Sequence, residues 1–483
     1  MPLKFYNTLT EHVDEFVSQN ENEVLLYTCG PTVYNYLHVG NWAAYIYWDI
    51  LVRILIANGY DVKRVMNVTD VGHLTSDADS GEDKLEKSAK REGKTAWEIA
   101  SFYTDDFLQG MKKLNLIAPR HIAKATDYIS QQLDLIRTLK EKGYTYQTSD
   151  GIYYDTSKFI TYADFANLDL AAQKSSGRVE INPEKHSQSD FALWKFTPNG
   201  KTRDMEWPTP LDIISEQGDK TIKMGFPGWH LECSAIAINM LGNTLDIHTG
   251  GIDHIPVHHT NEIAQSEAAT GVRFSNYWLH NNFIKVGGTK ISKSLGNVHT
   301  LDDLEQKGFS PIDFRMLILQ GNYRNEGNFT FDSLQAAKNR LNNWRNIAII
   351  RHQIHNSGPS ENKPVSFYAT SQAIVETIND DLGTPAALRI IDEAFAKISN
   401  SKLSEIDRPA FVQLLEVIDS VLGLGLIDST PDISDEAKQI ILERNQVRIQ
   451  KDWEKSDNLR DKLLSQNIVI RDNGAESIWQ YKI

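Results

Sequence analysis

Cys29 and Cys233 are the only cysteines among 483 residues, and each stands beside a stretch whose residue types suit a nucleotide. Cys29 precedes His38-Val39-Gly40-Asn41, and Cys233 precedes Gly250-Gly251-Ile252-Asp253. His258 and Glu262 are four apart, so on a helix both project from one face. Two thiols, an imidazole and a carboxylate make a donor set suited to zinc. His259, three residues from Glu262, fits the same helical face, so spacing leaves the choice of histidine open.

A second chemistry is phosphate binding. His38 falls where a strand runs into a helix, and a helix N-terminus offers unpaired N–H groups and a partial positive charge. Gly40 would let a nucleotide approach the backbone. Far along the chain, Gly287-Gly288 leads into Lys290-Ile291-Ser292-Lys293-Ser294. Two lysines three apart on a loop can reach outer phosphates and stabilise the charge that develops as pyrophosphate leaves. Either stretch alone reads as an ordinary helix start or a solvated basic turn. Paired at opposite ends of one split domain, they point to phosphate.

The elements that must carry these groups follow from periodicity. Val24–Thr28 reads as a buried strand ending in the turn Cys29-Gly30-Pro31, His38 to Asn58 as a helix, and Val62–Val68 as a second strand. This βαβ rhythm belongs to a doubly wound parallel sheet, whose ligands sit at the carboxyl ends of the strands. Residues 125–142 form an amphipathic helix closed by Gly143, and a hairpin turns at Asp150-Gly151. The irregular, polar stretch from about 120 to 205 reads as an insertion. The doubly wound pattern is expected to resume at Gly225–His230, with a strand at Leu245–His248, a turn at Gly250-Gly251 and a helix from Val257 to Thr270. Beyond the lysine loop the chain turns helical, with Leu334, Leu341, Trp344 and Ile347 on one face. Ser357–Pro364 reads as a linker and Thr384-Pro385 as a helix start. Two short basic helices and a hairpin around Asn473-Gly474 end the chain, with Trp479 beyond.

Composition narrows the class. A net charge of −14 argues against non-specific nucleic-acid binding by the whole surface, though not against a local basic track. The N-terminus shows no signal-peptide pattern, and the apolar stretch 411–427 is interrupted by Gln413, Glu416 and Asp419, so no membrane span is expected. A reducing, cytoplasmic setting follows. The charged run 76–97 reads as a solvated helical face, with a nucleic-acid contact through Lys84, Lys87, Lys90 and Arg91 as the weaker alternative.

The order of these blocks resembles the two signatures of class I aminoacyl-tRNA synthetases. The blocks Leu26–Tyr34, Asn67–Asp70, Gly228–Ala235, Asp246–Asp253, His258–Gln265 and Lys290–Ser294 narrow the likeness to the cysteinyl-tRNA synthetase family. The resemblance implies one zinc ion per chain held by Cys29, Cys233, His258 and Glu262, and it selects His258 over His259. It implies a cysteine pocket lined by Cys29, Thr69, Trp229 and His248. It further implies an ATP site from Gly30, His38, Gly40, Asn41, Gly250, Gly251, Asp253 and Lys293, with His38, Asn41, Lys290 and Lys293 acting on the phosphates alongside Mg²⁺. The partners implied are ATP, L-cysteine and tRNA(Cys), the last charged through a cysteinyl-adenylate by a chain expected to be monomeric. A cysteine ligase with an amino-sugar acceptor is the alternative; the long helical extension favours tRNA.

The expected architecture is a Rossmann-type sheet split by an insertion, then an α-helical bundle and a small mixed C-terminal domain. Its divisions fall at 1–119 and 206–288 for the two catalytic halves, with 120–205 as the insertion. Residues 289–343 form the lysine-loop and stem-contact region, 344–428 the bundle, and 429–483 an anticodon-binding domain whose basic helices and Trp479 would read the tRNA. Two departures stand out: Asn41 where the family's first signature usually ends in a second His, and Ile291 in place of Met. Zinc suits this substrate because it favours a thiolate over an alcohol, whereas an apolar pocket separates such near-isosteres by only about 1–3 kcal/mol.

Overall fold

The computed structural model describes residues 2–72, 83–169, 182–214, 223–354, 365–473 and 476–482, and for Lys293, Asn473 and Glu476 the backbone alone. The expected linker 357–364, part of the charged run before Asp83, and Gly474 lie outside the described residues. Two compact units emerge, one of residues 2–304 and 323–328, the other of residues 305–322 and 329–483.

The strands up to residue 329 are β1 (Lys4–Asn7), β2 (His12–Glu15), β3 (Glu23–Thr28), β4 (Asp61–Val68), β5 (His121–Lys124), β6 (Thr145–Gln147), β7 (Gly151–Tyr154), β8 (Phe191–Phe196), β9 (Trp207–Pro208), β10 (Met224–Pro227), β11 (Leu245–Gly251), β12 (Ser275–Asn281), β13 (Ile284–Val286) and β14 (Gly327–Phe329). Five of them form a parallel sheet in the order β12-β11-β3-β4-β5. The strand order reverses between β3 and β11, and in open α/β sheets ligands bind beyond the strand ends at such a point. Val24, Leu26, Leu245 and Ile247 are fully buried there. Asp246 is buried with them because its carboxylate accepts the N–H groups of Gln19 and Leu25 at 2.7 and 2.8 Å. The Val39–Ala57 helix crosses this sheet and is apolar nearly all round, as a doubly covered helix must be.

A second sheet, antiparallel and ordered β6-β7-β8-β10-β9, is the inserted layer. Its extent corrects two expectations. β5 pairs with β4, so the parallel sheet reaches past residue 120. β10 pairs with β8 and β9 and belongs to the insertion, and the doubly wound sheet resumes only at β11. The cause is local packing: a side chain at Gly225 would fall 2.3 Å from Trp194 Nε1, so this bare strand position accepts the indole of β8.

The second unit is helical up to the terminal hairpin of β15 (Ile468–Asn473) and β16 (Glu476–Tyr481). Leu334, Leu341, Trp344 and Ile347 are buried on one face of the Phe331–Ala348 helix, as their spacing predicts. The cap before Pro385 falls on Gly383 and not on Thr384, which is already helical. Arg315 is wholly buried and donates Nε to the carbonyl of Leu422 at 2.6 Å.

Candidate active site

Three elements meet at the strand-order reversal. Cys29 follows β3 and donates its N–H to Thr249 of β11. Cys233 lies one turn into the Trp229–Leu241 helix, and His258 and Glu262 follow β11. One ligand atom from each of these four side chains lies within 4.8 Å of the other three. Cys233, His258 and Glu262 are buried and Cys29 is half-buried. The expected helix from Val257 begins differently: Ile255–His259 closes as a π turn, and the α-helix runs Thr260–Thr270. Pro256 at the start of that turn lacks a backbone donor, and π turns recur at functional sites. Across this junction His258 Nε2 still meets Glu262 Oε1 at 3.0 Å. His259 turns elsewhere, into a trio with Cys29 and His248.

The electrostatics show why such a cluster asks for a cation. Burial opposes ionisation of Cys29, yet hydrogen bonds from Cys233, His254, His258 and His259 hold it well below the usual thiol range. Cys233 is driven the other way by its hydrogen bond with Cys29 and by burial, so the two sulfurs compete for one proton. His258 rises to about 10 because Glu262 and Cys29 outweigh its burial. Burial raises Glu262 and the charges of His258 and His248 more than reverse it. Two thiolates, one imidazole and one carboxylate fit zinc in donor type and number, and a divalent ion would take the place of the shared proton. The histidine is braced for such a role, since its Nδ1 meets His230 Nδ1 at 3.0 Å. His230 carried no role in the sequence expectations, although it stands inside the Trp229-His230 block.

The neighbouring pocket residues divide. Trp229 is half-buried and stacks over His258 at 4.6 Å between ring centroids. Thr69 is buried and donates Oγ1 to Glu232 at 3.0 Å. His248 is buried behind the cluster, with Nε2 at 2.8 Å from Glu262 Oε2 and its ring stacked on Trp278. It braces Glu262 from behind. Gly30 has a packing reason of its own: a side chain there would land 1.6 Å from the carbonyl oxygen of Asn67.

The phosphate signatures come together. His38 caps the Val39–Ala57 helix, with Asn41 N–H donating to its Nδ1 at 3.3 Å and Asn41 Oδ1 accepting the His38 N–H at 3.1 Å. A ring that accepts at Nδ1 carries its proton on Nε2 when neutral, the state that donates to a phosphate. The Asn41 side chain has a separate part: its Oδ1 accepts the His38 N–H and closes the capping box. A side chain at Gly40 would sit 2.8 Å from Ile291 Cδ1, so the lysine loop lies directly over the first signature. Val39 also donates to the carbonyl of His299 at 2.8 Å. Asn297 folds the loop by accepting Ser292 N–H and donating to the carbonyl of Lys290. Lys290 is exposed. Gly250 and Gly251 end β11 instead of forming a turn, and a side chain at Gly250 would strike His254 and His259 at 2.6 Å. Asp253 is exposed just beyond.

The expectation for Trp479 fails. Its ring is packed in the core with Ile349, Ile433 and Leu463, and its backbone pairs with the Gln353 amide. Of the basic side chains on the two terminal helices, Lys438, Arg444, Arg448, Lys455, Arg460 and Lys462 face acids, and Lys451 between the helices is exposed. The exposed apolar groups of this region are Leu442, Ile449, Trp453 and Leu464, with Trp453 more than half exposed. No helix among the described residues is long and apolar enough to cross a membrane.

Comparison with known proteins extends the picture. A family model described as tRNA synthetases class I (C) catalytic domain matches residues 15–339, and one for the cysteinyl-tRNA ligase anticodon binding domain matches residues 430–479. A cysteine–tRNA ligase of Treponema denticola is 37% identical over 511 aligned residues, covering 99% of this chain and all of that one. The cysteine–tRNA ligase 1 of Burkholderia lata is 40% identical, covering 98% and 95% of the two chains. Among solved structures, Mycobacterium tuberculosis methionyl-tRNA synthetase bound by methionyl-adenylate shares the fold at a TM-score of 0.59 and 13% identity, covering 83% and 92%.

Proposed function

The chain belongs to the cysteine–tRNA ligase family of class I synthetases, and from that premise we propose how its residues divide the work. It joins cysteine to tRNA at the expense of ATP. The observation that carries the finer reading is the grouping of Cys29, Cys233, His258 and Glu262 at the strand-order reversal. Those four side chains would hold one zinc ion. When bound, it supplies a soft Lewis acid that prefers the thiolate of cysteine to the hydroxyl of serine.

The remaining work falls to the chain itself. Trp229 and Thr69 orient the amino acid, and Gly250, Gly251 and Asp253 hold the adenosine, with the carboxylate accepting from the ribose hydroxyls. His38 Nε2 and Asn41 Nδ2 donate to the phosphates. The cysteine carboxylate attacks the α-phosphate, the bond to the β-phosphate breaks, and Lys290 and Lys293 stabilise the charge passing to the departing pyrophosphate, a charge that Mg²⁺ would also offset when bound. The terminal ribose hydroxyl of the tRNA then attacks the acyl carbon and AMP leaves. No protein nucleophile is required.

For the tRNA, exposed Trp453 and Ile449 replace Trp479 as the stacking surface for an unpaired base. The amino-sugar alternative finds no support in the anticodon-binding domain match over 430–479. Cysteine-dependent ATP–pyrophosphate exchange, measured with and without chelation of zinc, tests the assignment. Exchange that persists at full rate without metal would refute it.

A further inference from the structure

We propose that Thr8 is a positioning residue for the cysteine site: its hydroxyl is the outer donor of a buried, one-directional chain of hydrogen bonds that ends on Cys29. The proposal rests on the reading of Cys29 as a zinc ligand.

The chain has three links. Thr8 Oγ1 lies 2.7 Å from His280 Nδ1, His280 Nε2 lies 2.7 Å from His259 Nδ1, and His259 Nε2 lies 3.4 Å from Cys29 Sγ. Both rings are buried. Counting protons fixes the direction. Two ring nitrogens 2.7 Å apart hold one proton between them, and a neutral imidazole has one N–H and one acceptor. A zinc-bound Cys29 is a thiolate and can only accept, so His259 must donate from Nε2. A protonated His259 would set a second cation beside a buried divalent ion, which disfavours it. His259 Nδ1 then accepts, His280 Nε2 donates, and His280 Nδ1 needs a donor from outside. The Thr8 hydroxyl is that donor. The opposite polarity would require Cys29 to keep its proton.

The N-terminal hairpin is built to hold this one hydroxyl in place. Asn7 clamps β1 to β12 by accepting Trp278 N–H and donating to the carbonyl of Asn276, and Thr8 N–H donates to the carbonyl of Trp278 at 2.8 Å. None of those bonds uses the Thr8 side chain, so replacing it leaves the clamp intact. Partners that orient groups around a metal typically change its affinity 10–100-fold when lost.

The test uses the full chain labelled with ¹⁵N-histidine, whose long-range proton–nitrogen correlations report which ring nitrogen carries the proton, together with zinc titration against a chromophoric chelator. In the zinc-loaded wild type both His259 and His280 should be protonated on Nε2. Thr8→Val should raise the zinc dissociation constant about tenfold and disturb the His280 tautomer, and Thr8→Ser should restore both. A wild-type His280 protonated on Nδ1 would overturn the proposal even if the valine variant fails to fold. So would a folded Thr8→Val protein with wild-type zinc affinity and unchanged ring signals. Wild-type protein that binds no zinc would overturn the metal reading itself, and this proposal with it.

Discussion

Around Cys29 the ionisable side chains are buried and turn toward one another, whereas along the helices Asp435–Ile449 and Trp453–Ser465 they are mostly exposed and already matched with acids. The first arrangement is costly unless a ligand completes it, because a buried charge without a partner loses its hydration. The second costs little and says little, since exposed pairs contribute about 0–1 kcal/mol each. Buried clusters of polar residues therefore nominate function more sharply than basic composition does.

The largest effect should come from breaking the first region. Cys233→Ser should abolish stoichiometric zinc and lower cysteine-dependent exchange more than about 100-fold, with the thermal transition of the second unit unchanged. Exchange near the wild-type rate would erase the distinction between the two regions. Lys290→Ala should lower the kcat of exchange about 100-fold while zinc content stays at one per chain, separating phosphate chemistry from metal chemistry.

The second region is sharpened by two tryptophans. Trp479→Ala removes a core side chain and should destabilise its unit by about 3–5 kcal/mol in urea unfolding. Trp453→Ala should leave that stability unchanged and raise the KM for tRNA about tenfold, the cost of one lost stacking contact. The reverse assignment of effects would restore Trp479 as the reader.

A separate effect, on stability alone, concerns pH. Asp70 is buried, and burial pushes its carboxyl up to about 6 against the two hydrogen bonds from Thr126. A folded value above the unfolded one, near 3.9, means the fold favours the protonated acid. This contribution is complete below about pH 4 and is lost as pH rises toward 6, a change of up to about 3 kcal/mol. Asp70→Asn should flatten the stability profile across that window. An unchanged slope would place the titration elsewhere.

Much of this was legible in the residues. Apolar runs located β3, β4 and the helix capped by His38, because burial and period are local properties. The grouping of Cys29, Cys233, His258 and Glu262 was legible through their types and the resemblance of their blocks. Partnerships were not. β10 is four residues long, and nothing in so short a run says whether its neighbour is β8 or a parallel strand. Trp479 looked available because no period marks a two-stranded hairpin packed on helices. Thr8, His280 and Asn297 could not be singled out, since each acts through a residue distant in sequence or through a turn the spacing does not reveal. Asn41 reads as a departure in the sequence, and only the geometry shows its side-chain oxygen accepting the His38 N–H and completing the helix cap.

The most direct test of the central claim is amino-acid selectivity measured with and without zinc. Wild-type protein should carry one zinc per chain and support pyrophosphate exchange with cysteine but not serine. Chelation should remove exchange and selectivity together, and zinc should restore both. Metal-free protein that still activates cysteine in preference to serine would contradict the account.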